Sequence, residues 1–357
     1  MEKIVKKKVL FVFIFCFLSG SSSFACSSFS FTPNNNVLFG YNFDWNYGGA
    51  FIFVNKRNVE KNRFWYKKTW KKFKWVSKYG SITINQLGRE LPTCGMNEAG
   101  LVISTMMLTT ARFPSADRRP AFIIPQWIQY QLDNCATIDE VIATNLKIRP
   151  SKRELPVHFF ITDSTGNSVT MEWLNGKLVY HKGNKLPVSA LTNETYGECI
   201  NFYLKDKRAT PQSNWSKWRF NHIADKIKKY SNLPEKPPIE YSFTILESVS
   251  STWVTMWSLV FDITNMRVYF KTKENREIRF VDFSAFDFSS ASPVMFLDIN
   301  SKLSGDVKNY FRKYTHEENE NLIINSNKGN TEKTFPDKFL KRAAEYPETT
   351  RNLDQSL

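Results

Sequence analysis

Cys26 is a candidate nucleophile because of its position directly after a predicted signal-peptide cleavage site. It follows Ser23-Phe24-Ala25, in which small residues occupy the −3 and −1 positions of a signal-peptide cleavage site. Cleavage after Ala25 would give Cys26 a free α-amine with an ordinary pKa of about 7.7–8.0, and that amine could act as the base for its own thiol. Such a cysteine needs no histidine to become a nucleophile. The alternative is that Cys26 is merely the residue after the cut.

Residues 1–25 have the three parts of an export signal in the expected order. Four lysines lie in the first eight residues, 9–18 is a continuous apolar run, and a small polar stretch follows. The apolar run is too short for a membrane-spanning helix, which needs about 20 residues. We predict a signal peptide and a periplasmic or extracellular protein. The alternatives are a packed N-terminal helix and a lipoprotein, although Ser23 stands where a lipoprotein signal usually has Leu.

The composition excludes a disordered chain and a polytopic membrane protein. Of the 357 residues, 42% are hydrophobic and 15% are aromatic, which is enough to bury a sizeable core. The formal net charge is +15, yet residues 56–78 alone hold ten Lys or Arg against one acidic residue. Most of the excess positive charge is therefore one patch and not a property of the whole surface.

Within that patch, residues 65–75 interleave lysines with Trp, Tyr and Phe. This composition is typical of surfaces that bind single-stranded nucleic acid or anionic lipid. We interpret the run as an edge hairpin with lysines in water and aromatic rings in the core, and we expect no nucleic-acid partner for an exported protein. A weak contact of Lys67 to Lys74 with an anionic surface stays open. So does a rival function, an exported non-catalytic protein that binds anionic envelope polymers or lipid headgroups.

The cysteines and histidines are not spaced as metal ligands. The sequence has no C-x-x-C motif, and its histidines are isolated (His158, His181, His222, His316). We therefore expect no metal and no cofactor, and we expect the histidines to have surface or packing roles. In an oxidising compartment, a Cys94–Cys135 or a Cys94–Cys199 disulfide is possible.

The elements that must position these residues follow the order strands, helices, strands. Alternation predicts strands at 28–32, 37–43, 157–162, 168–173, 177–181, 187–192, 253–262, 267–271 and 278–283, and a hairpin of 82–85 with 101–107 around a turn at 95–100. Helical spacing predicts helices at 122–132, from a capping box at Thr137 to about 146, after 216, and at 239–249. This order predicts an α+β domain with antiparallel sheets over 26–300. We expect the polar residues 301–357 to form a peripheral extension of that domain.

Five motifs occur in one order along the chain. They are Cys26-Ser27-Ser28-Phe29 with Gly40-Tyr41-Asn42-Phe43-Asp44-Trp45, then Gly95-Met96-Asn97-Glu98-Ala99-Gly100-Leu101, Leu191-Thr192-Asn193, Arg219-Phe220, and a strand pair over 257–270. Together they resemble the choloylglycine hydrolase family of linear amide C–N hydrolases, which includes bile salt hydrolases and penicillin V acylases. The resemblance implies an N-terminal nucleophile hydrolase fold, a four-layer αββα sandwich. It also implies hydrolysis of a small, linear, non-peptide amide through a thioester acyl-enzyme.

The resemblance further implies roles for particular residues. Cys26 would be the nucleophile through its sulfur and the base through its amine, and Asp44 would hold that amine by a charge-assisted hydrogen bond. The side-chain amide of Asn193 and the main-chain N–H of Met107 would donate to the oxyanion. Arg219 would lie beside the thiol and lower its pKa.

Taken singly, these residue types have ordinary explanations, and only their joint pattern points to a site. Asp44 could be a surface carboxylate at a strand end, Asn193 a turn former and Arg219 a solvated charge. At Tyr41 the bile salt and penicillin members of the family usually have Arg, so a positive charge is missing near the amine. We expect nucleophile tuning or substrate recognition to differ there. The acyl group, the amine and the oligomeric state are left open by the sequence.

Overall fold

A computed structural model describes residues 25–64, 73–152, 154–230, 236–331 and 334–354 of the chain. The predicted signal peptide, apart from Ala25, and residues 65–72 of the basic-aromatic run lie outside the described residues. Within these described ranges, no helix combines the length and apolar character needed to cross a membrane.

The described residues form 21 strands and seven α-helices. The strands are β1 (Ser27–Phe31), β2 (Leu38–Asp44), β3 (Phe51–Asn55), β4 (Val59–Asn62), β5 (Lys74–Val76), β6 (Ser81–Asn85), β7 (Cys94–Asn97), β8 (Val102–Met107), β9 (Ala121–Phe122), β10 (Arg149–Pro150), β11 (Val157–Thr162), β12 (Ser168–Leu174), β13 (Lys177–Lys182), β14 (Ala190–Leu191), β15 (Thr255–Asp262), β16 (Arg267–Thr272), β17 (Arg279–Asp282), β18 (Met295–Asp298), β19 (Gly305–Asp306), β20 (Arg312–Lys313) and β21 (Arg351–Asn352). The helices are α1 (Ile124–Asn134), α2 (Ile138–Thr144), α3 (Tyr196–Leu204), α4 (Trp215–Tyr230), α5 (Pro238–Ser248), α6 (His316–Gly329) and α7 (Asp337–Glu345).

Two large sheets, built in the described part of the chain from seven and nine strands, form the centre of the molecule. Sheet I has the order β14-β1-β2-β15-β16-β17-β19, and sheet II has the order β13-β12-β11-β8-β7-β6-β3-β18-β20. Helices α3, α4 and α5 pack outside sheet I, and α1 and α2 pack outside sheet II. The fold is therefore the αββα sandwich that the resemblance implied, with largely antiparallel sheets.

The alternation of β1 decides which way each of its side chains points. The Ser28 hydroxyl is 2.7 Å from the Ser104 hydroxyl of sheet II, whereas the ring of Phe31 packs on the helical side against Tyr230. Since successive residues of a strand point to opposite faces, the side chain of Cys26 faces the space between the sheets, on the same side as Ser28. The sequence thus places a thiol in the inter-sheet space at the beginning of the first strand.

The segment predicted as a hairpin with a turn at 95–100 contains an additional strand. Gly95 and Met96 pair with both β6 and β8, so β7 lies between the two predicted strands and the turn is shorter. Asn97 closes this turn, because its Oδ1 accepts hydrogen bonds of 3.0 Å from the N–H groups of Ala99 and Leu101. The prediction of a single turn over 95–100 was wrong. The hydrogen bonds of Asn97 reverse the chain within four residues, so the residues before it are free to pair as a strand with β6 and β8.

Other elements follow the predictions closely or were missed for identifiable reasons. The capping box of Thr137 and Glu140 is present, with both reciprocal hydrogen bonds, and it opens α2 as predicted. Helix α3 was not predicted, although Thr195 caps it by accepting from the Glu198 N–H at 3.2 Å. Strand β3 was also missed, because it is almost entirely buried and so shows no polar alternation.

The C-terminal residues pack against the sandwich. Ile323 of α6 and Ala343 of α7 share a small core with Phe64 and Leu91. The short strands β20 and β21 pair with β18 and β4, respectively.

All four cysteines in the described ranges are free. Cys94 belongs to β7 and faces the inter-sheet core, whereas Cys135 lies in the core between sheet II and its helices. Cys199 lies on α3 in the helical layer outside sheet I. The Cys94–Cys135 and Cys94–Cys199 disulfides that the sequence left open are therefore absent, because a β-sheet separates the two thiols of each pair.

The described end of the basic-aromatic run is an edge strand. Among the described residues, β5 is the outer strand of a small sheet with the order β21-β4-β5. Trp75 is buried and its Nε1 donates to Asp133 Oδ2 at 2.7 Å, while the exposed Lys74 forms an ion pair with Glu60 at 2.8 Å. This part of the run agrees with the interpretation of lysines in water and aromatic rings in the core.

Candidate active site

Cys26 lies immediately before β1 and beside the end of β2. Its Sγ donates to the carbonyl oxygen of Asp44 at 3.6 Å and accepts from the Asp44 N–H at 3.4 Å. Burial raises the pKa of the Cys26 thiol to about 12, and the carboxylate of Asp44 raises it as well, against the lowering effects of the Asp44 N–H, Arg219 and Tyr41. The thiol is therefore neutral in this structure, in which Ala25 precedes it.

Arg219 of α4 holds the start of β1. Its fully buried guanidinium donates through Nη1 to the carbonyl oxygens of Ala25 and Cys26 and, at 2.6 Å, to Ser27 Oγ. Nη2 donates to Asn193 Oδ1 at 2.8 Å. Burial lowers the pKa of Arg219 to about 10, while the negative charge of Asp44 acts in the opposite direction. The arginine thus remains a cation beside Cys26, the position predicted for it, and it links Cys26 to Asn193.

The carboxylate of Asp44 is buried at the end of β2, near the hydroxyl of Thr255 but without a hydrogen bond of normal geometry among the described residues. Both oxygens are fully enclosed, and neither has a hydrogen-bond partner among the described residues. Burial raises the pKa of Asp44 to about 7, although Arg219 and the hydroxyl of Thr255 lower it. Buried polar groups in proteins are nearly always hydrogen-bonded, so this carboxyl can accept a donor that the described residues do not supply.

Asn193 follows β14, which pairs with β1 and so brings this side chain close to Cys26. Its Nδ2 donates to the carbonyl oxygen of Met107 at 2.8 Å, and its Oδ1 accepts from Arg219. We predicted that this amide would be aimed at the reacting oxygen. In this structure, one of its two N–H groups is instead bound to the main chain of β8, and the amide plane is fixed from both ends.

The main chain of Met107 points toward Asn193. The N–H of Leu108 donates to Pro156 O at 2.8 Å, on the side of β11. In an antiparallel pair, successive residues direct their N–H and C=O groups to alternate edges, so both groups of Met107 point to the opposite edge of β8. Pairing of that edge with β7 extends only to Ile103. The predicted second oxyanion donor and Asn193 are thus on the same side of β8.

Tyr41 occupies the position where the bile salt and penicillin members usually have Arg. Its hydroxyl donates to the carbonyl oxygen of Thr105 at 2.7 Å, and the ring is fully buried between the sheets. Burial, followed by the neighbouring thiols of Cys26 and Cys94, raises the pKa of Tyr41 well above its ordinary value. At this position, therefore, a neutral phenol lies beside Cys26 where a second cation would otherwise accompany Arg219.

The histidines contribute no group to this cluster, but one of them differs from the expectation. His181 packs on Tyr196 and His222 stacks on Trp218, whereas His158 is fully buried and hydrogen-bonded to Glu172 at 3.0 Å. Sequence analysis missed this pair because its members are 14 residues apart on different strands. Within the described ranges, no group of three or more His, Cys, Asp or Glu side chains is arranged to hold a metal.

A family model described as linear amide C-N hydrolases, choloylglycine hydrolase family, matches residues 26–221, more than half of the chain. The chain belongs to this family. It is therefore a hydrolase that acts on carbon–nitrogen bonds other than peptide bonds, in linear amides. The choloylglycine hydrolase match begins at Cys26, the residue around which the site is built.

Similar proteins include acylases and bile acid hydrolases. A penicillin V acylase from Pectobacterium atrosepticum is 25% identical over 261 residues, which cover 60% of this chain and 69% of that protein. The structure of penicillin V acylase from Agrobacterium tumefaciens has a TM-score of 0.68 and 25% sequence identity, covering 81% of this chain and 98% of that chain. A variant of conjugated bile acid hydrolase from Clostridium perfringens has a TM-score of 0.64 and 18% identity, covering 78% and 98%. These similarities confirm the predicted N-terminal nucleophile hydrolase fold.

Proposed function

We propose that the mature protein is an exported cysteine hydrolase whose N-terminal residue is Cys26, and that it cleaves N-acyl amides of small molecules through a thioester. The observation that carries this proposal is the buried carboxylate of Asp44. The main chain of Asp44 contacts the Cys26 thiol, and its carboxylate is close enough to raise the pKa of that thiol, yet neither carboxylate oxygen has a hydrogen bond of normal geometry among the described residues. A free α-amine on Cys26 would supply the missing donor and would be held there by the carboxylate.

Removal of residues 1–25 would change the site in three ways. The nitrogen of Cys26 would become a basic amine in place of an amide. The carbonyl of Ala25 would leave the guanidinium of Arg219, which would then have a donor available beside the thiol. The loss of Ala25, which is itself buried next to Cys26, would also reduce the burial that raises the pKa of the Cys26 thiol. One cleavage would therefore create the base and expose the nucleophile.

In the acylation step, the α-amine takes the proton of the thiol, and the thiolate attacks the carbonyl carbon of the amide. The carbonyl oxygen becomes an oxyanion, which accepts hydrogen bonds from the second N–H of Asn193 Nδ2 and from the N–H of Met107. The α-ammonium then gives its proton to the nitrogen of the leaving amine, and the C–N bond breaks. The products are a free amine and a thioester on Cys26.

In the deacylation step, the same α-amine takes a proton from water, and the resulting hydroxide attacks the thioester. The second oxyanion uses the same two donors, and its collapse expels the thiolate, which recovers the proton from the ammonium. The acid leaves, and the enzyme returns to its starting state without a cofactor. Asp44 keeps the amine oriented through both steps, and Arg219 holds the Asn193 amide in place.

The substrate class is inferred from the family and from the relatives. Penicillin V acylases and conjugated bile acid hydrolases have, by name, small amides as substrates. Both compounds join an apolar acyl or ring system to a compact polar part, so penicillin V and a glycine-conjugated bile acid are the first probes to use. Tyr41 replaces the Arg that both groups of relatives usually have, and both probes are acids, so this residue favours neither probe over the other and both are tested.

The test is to export the full chain, collect it from the periplasm or medium, and measure its intact mass and its turnover of both probes. We expect loss of residues 1–25, a free Cys26 amine and amide hydrolysis. Cys26→Ser should keep the melting temperature and lose most turnover, because a hydroxyl is far less acidic than a thiol. Cys135→Ser is the matched control, since Cys135 is also buried but lies in the core outside sheet II. Full activity of Cys26→Ser, or an active chain that retains residues 1–25, would contradict the proposal.

A further inference from the structure

His158 and Glu172 form a fully buried pair that the proposed chemistry does not use. They lie on the neighbouring strands β11 and β12, with His158 Nδ1 3.0 Å from Glu172 Oε1 and neither side chain exposed. Burying such a pair costs hydration energy that the contact itself barely recovers, so apolar residues of similar volume would often serve stability as well. The pair is therefore better explained by what it holds in place.

Glu172 is bound to the segment that carries Asn193. Its Oε1 also accepts from the N–H of Tyr196 at 2.9 Å. Tyr196 is the first residue of α3, three residues after Asn193. A carboxylate oxygen at the beginning of a helix accepts an N–H that has no partner within the helix, so Glu172 fixes where α3 begins and where the Asn193 segment ends.

His158 is bound to the strand that carries the other oxyanion donor. It pairs with Met106 of β8 in the register of sheet II, and Met107 is the next residue. The hydrogen bond from Asn193 Nδ2 to Met107 O then closes a ring of contacts. The Asn193 segment is thus connected to β8 in two ways. One is the direct hydrogen bond from Asn193 to Met107, and the other runs from Tyr196 through Glu172 and His158 to β8.

We propose that His158 and Glu172 are positioning residues that set the distance between the two oxyanion donors, the Asn193 amide and the Met107 N–H. This inference rests on the proposed cysteine chemistry. Without Glu172, the N–H of Tyr196 loses its acceptor and the start of α3 is free to shift, carrying Asn193 with it. A misplacement of about 1 Å in a catalytic group can lower a rate by about 10²-fold.

The test compares two reactions of Cys26 in the exported enzyme. Acylation by p-nitrophenyl acetate passes through an oxyanion and releases p-nitrophenolate, so it needs the two donors. Alkylation by iodoacetamide displaces iodide from a methylene carbon and forms no oxyanion, so it reports only the thiolate and its access. A loss of folded protein lowers both rate constants equally, whereas a displaced oxyanion donor lowers only the acylation rate constant. The ratio of acylation to alkylation therefore reports the oxyanion donors alone.

Glu172→Leu should lower the acylation rate constant by about 10- to 100-fold and change alkylation by less than about twofold. Glu172→Gln keeps a carbonyl oxygen for the Tyr196 N–H and should recover part of the loss. Thr162→Val is the matched control, because Thr162 and Ser168 form a buried 2.8 Å hydrogen bond between the same two strands. It should leave both rate constants unchanged.

Equal losses in both reactions, or unchanged acylation in Glu172→Leu, would overturn the inference. If Glu172→Leu yields no folded protein, the ratio measured for Glu172→Gln decides, and a ratio equal to that of the wild type overturns it. A wild-type enzyme that is alkylated at Cys26 but never acylated would overturn the proposed function itself, which is a different outcome.

Discussion

Asp44→Asn should have opposite consequences before and after removal of residues 1–25. In the unprocessed chain the carboxyl is buried without a hydrogen-bond partner among the described residues, and burial raises its pKa from 3.8 to about 7. Between about pH 4 and pH 7, the folded chain therefore holds a proton that the unfolded chain has released. Under this condition the free energy of unfolding falls as the pH rises.

The size of this effect follows from the shift in pKa. One pKa unit corresponds to about 1.4 kcal/mol, so a shift of about three units corresponds to about 4 kcal/mol. The unprocessed wild type should lose up to about this much stability between about pH 4 and pH 7 through Asp44 alone. Asn has the same shape and does not titrate, so Asp44→Asn should remove that loss. In the exported chain, the α-ammonium of Cys26 should stabilise the carboxylate, so Asp44→Asn should give no such gain and should lower turnover.

The assay is urea unfolding followed by tryptophan fluorescence at pH 4.5 and pH 7.5. The unprocessed chain comes from cell-free synthesis without membranes, and the processed chain comes from export. Asp206→Asn, at a side chain that is 89% exposed, controls for the loss of a carboxylate elsewhere. If the wild type and Asp44→Asn show the same pH dependence in the unprocessed chain, Asp44 already has a partner and the reasoning fails.

Three further substitutions test the site and its scaffold. Asn193→Ala should lower turnover by about 10²–10³-fold, or about 2.7–4 kcal/mol, with little change in KM; a lower melting temperature with an unchanged acylation rate would make it a turn former only. Tyr41→Phe should lower the unfolding free energy by about 1–3 kcal/mol, because the buried carbonyl of Thr105 loses its donor; unchanged urea unfolding would show that this bond adds nothing. Gly40→Ala should destabilise by about 1–3 kcal/mol, because its Cβ would lie 2.4 Å from the ring of Phe29; a soluble variant with wild-type stability would mean that the ring can move aside.

Much of the site could be predicted because its residues lie in motifs with fixed order along the chain. Cys26, Asp44, Asn193 and Arg219 were predicted together, and the structure joins them through the backbone of β1 and the guanidinium of Arg219. The sequence allowed them to be predicted as one site only through the order of the family motifs. Each residue type alone is more often a structural or surface residue than a site residue. The geometry adds that Arg219 is the centre of the cluster and binds main-chain atoms.

The parts that could not be predicted depend on contacts between distant segments. Nothing local in the sequence shows that His158 faces Glu172 or that Glu172 reaches Tyr196, because strand register decides both contacts. The strand within 95–100 was missed because a glycine and an asparagine indicate a turn until their partners are known. The capping box at Thr137 was predicted correctly, because its hydrogen bonds join residues only three positions apart.

Burial explains why the same cluster would be inert in the unprocessed chain and active in the mature protein. With Ala25 in place, burial keeps the Cys26 thiol and the Asp44 carboxyl in their neutral forms at moderately acidic pH, since it raises the pKa of the first to about 12 and of the second to about 7. Neither group can then activate the other. Under the proposed function, freeing the amine would introduce one cation close to both groups, and a cation within hydrogen-bond reach stabilises both a carboxylate and a thiolate. We therefore expect cleavage after Ala25 to activate the hydrolase. The cleavage supplies the positively charged α-amine, while Asp44, Asn193 and Arg219 already lie in position around Cys26.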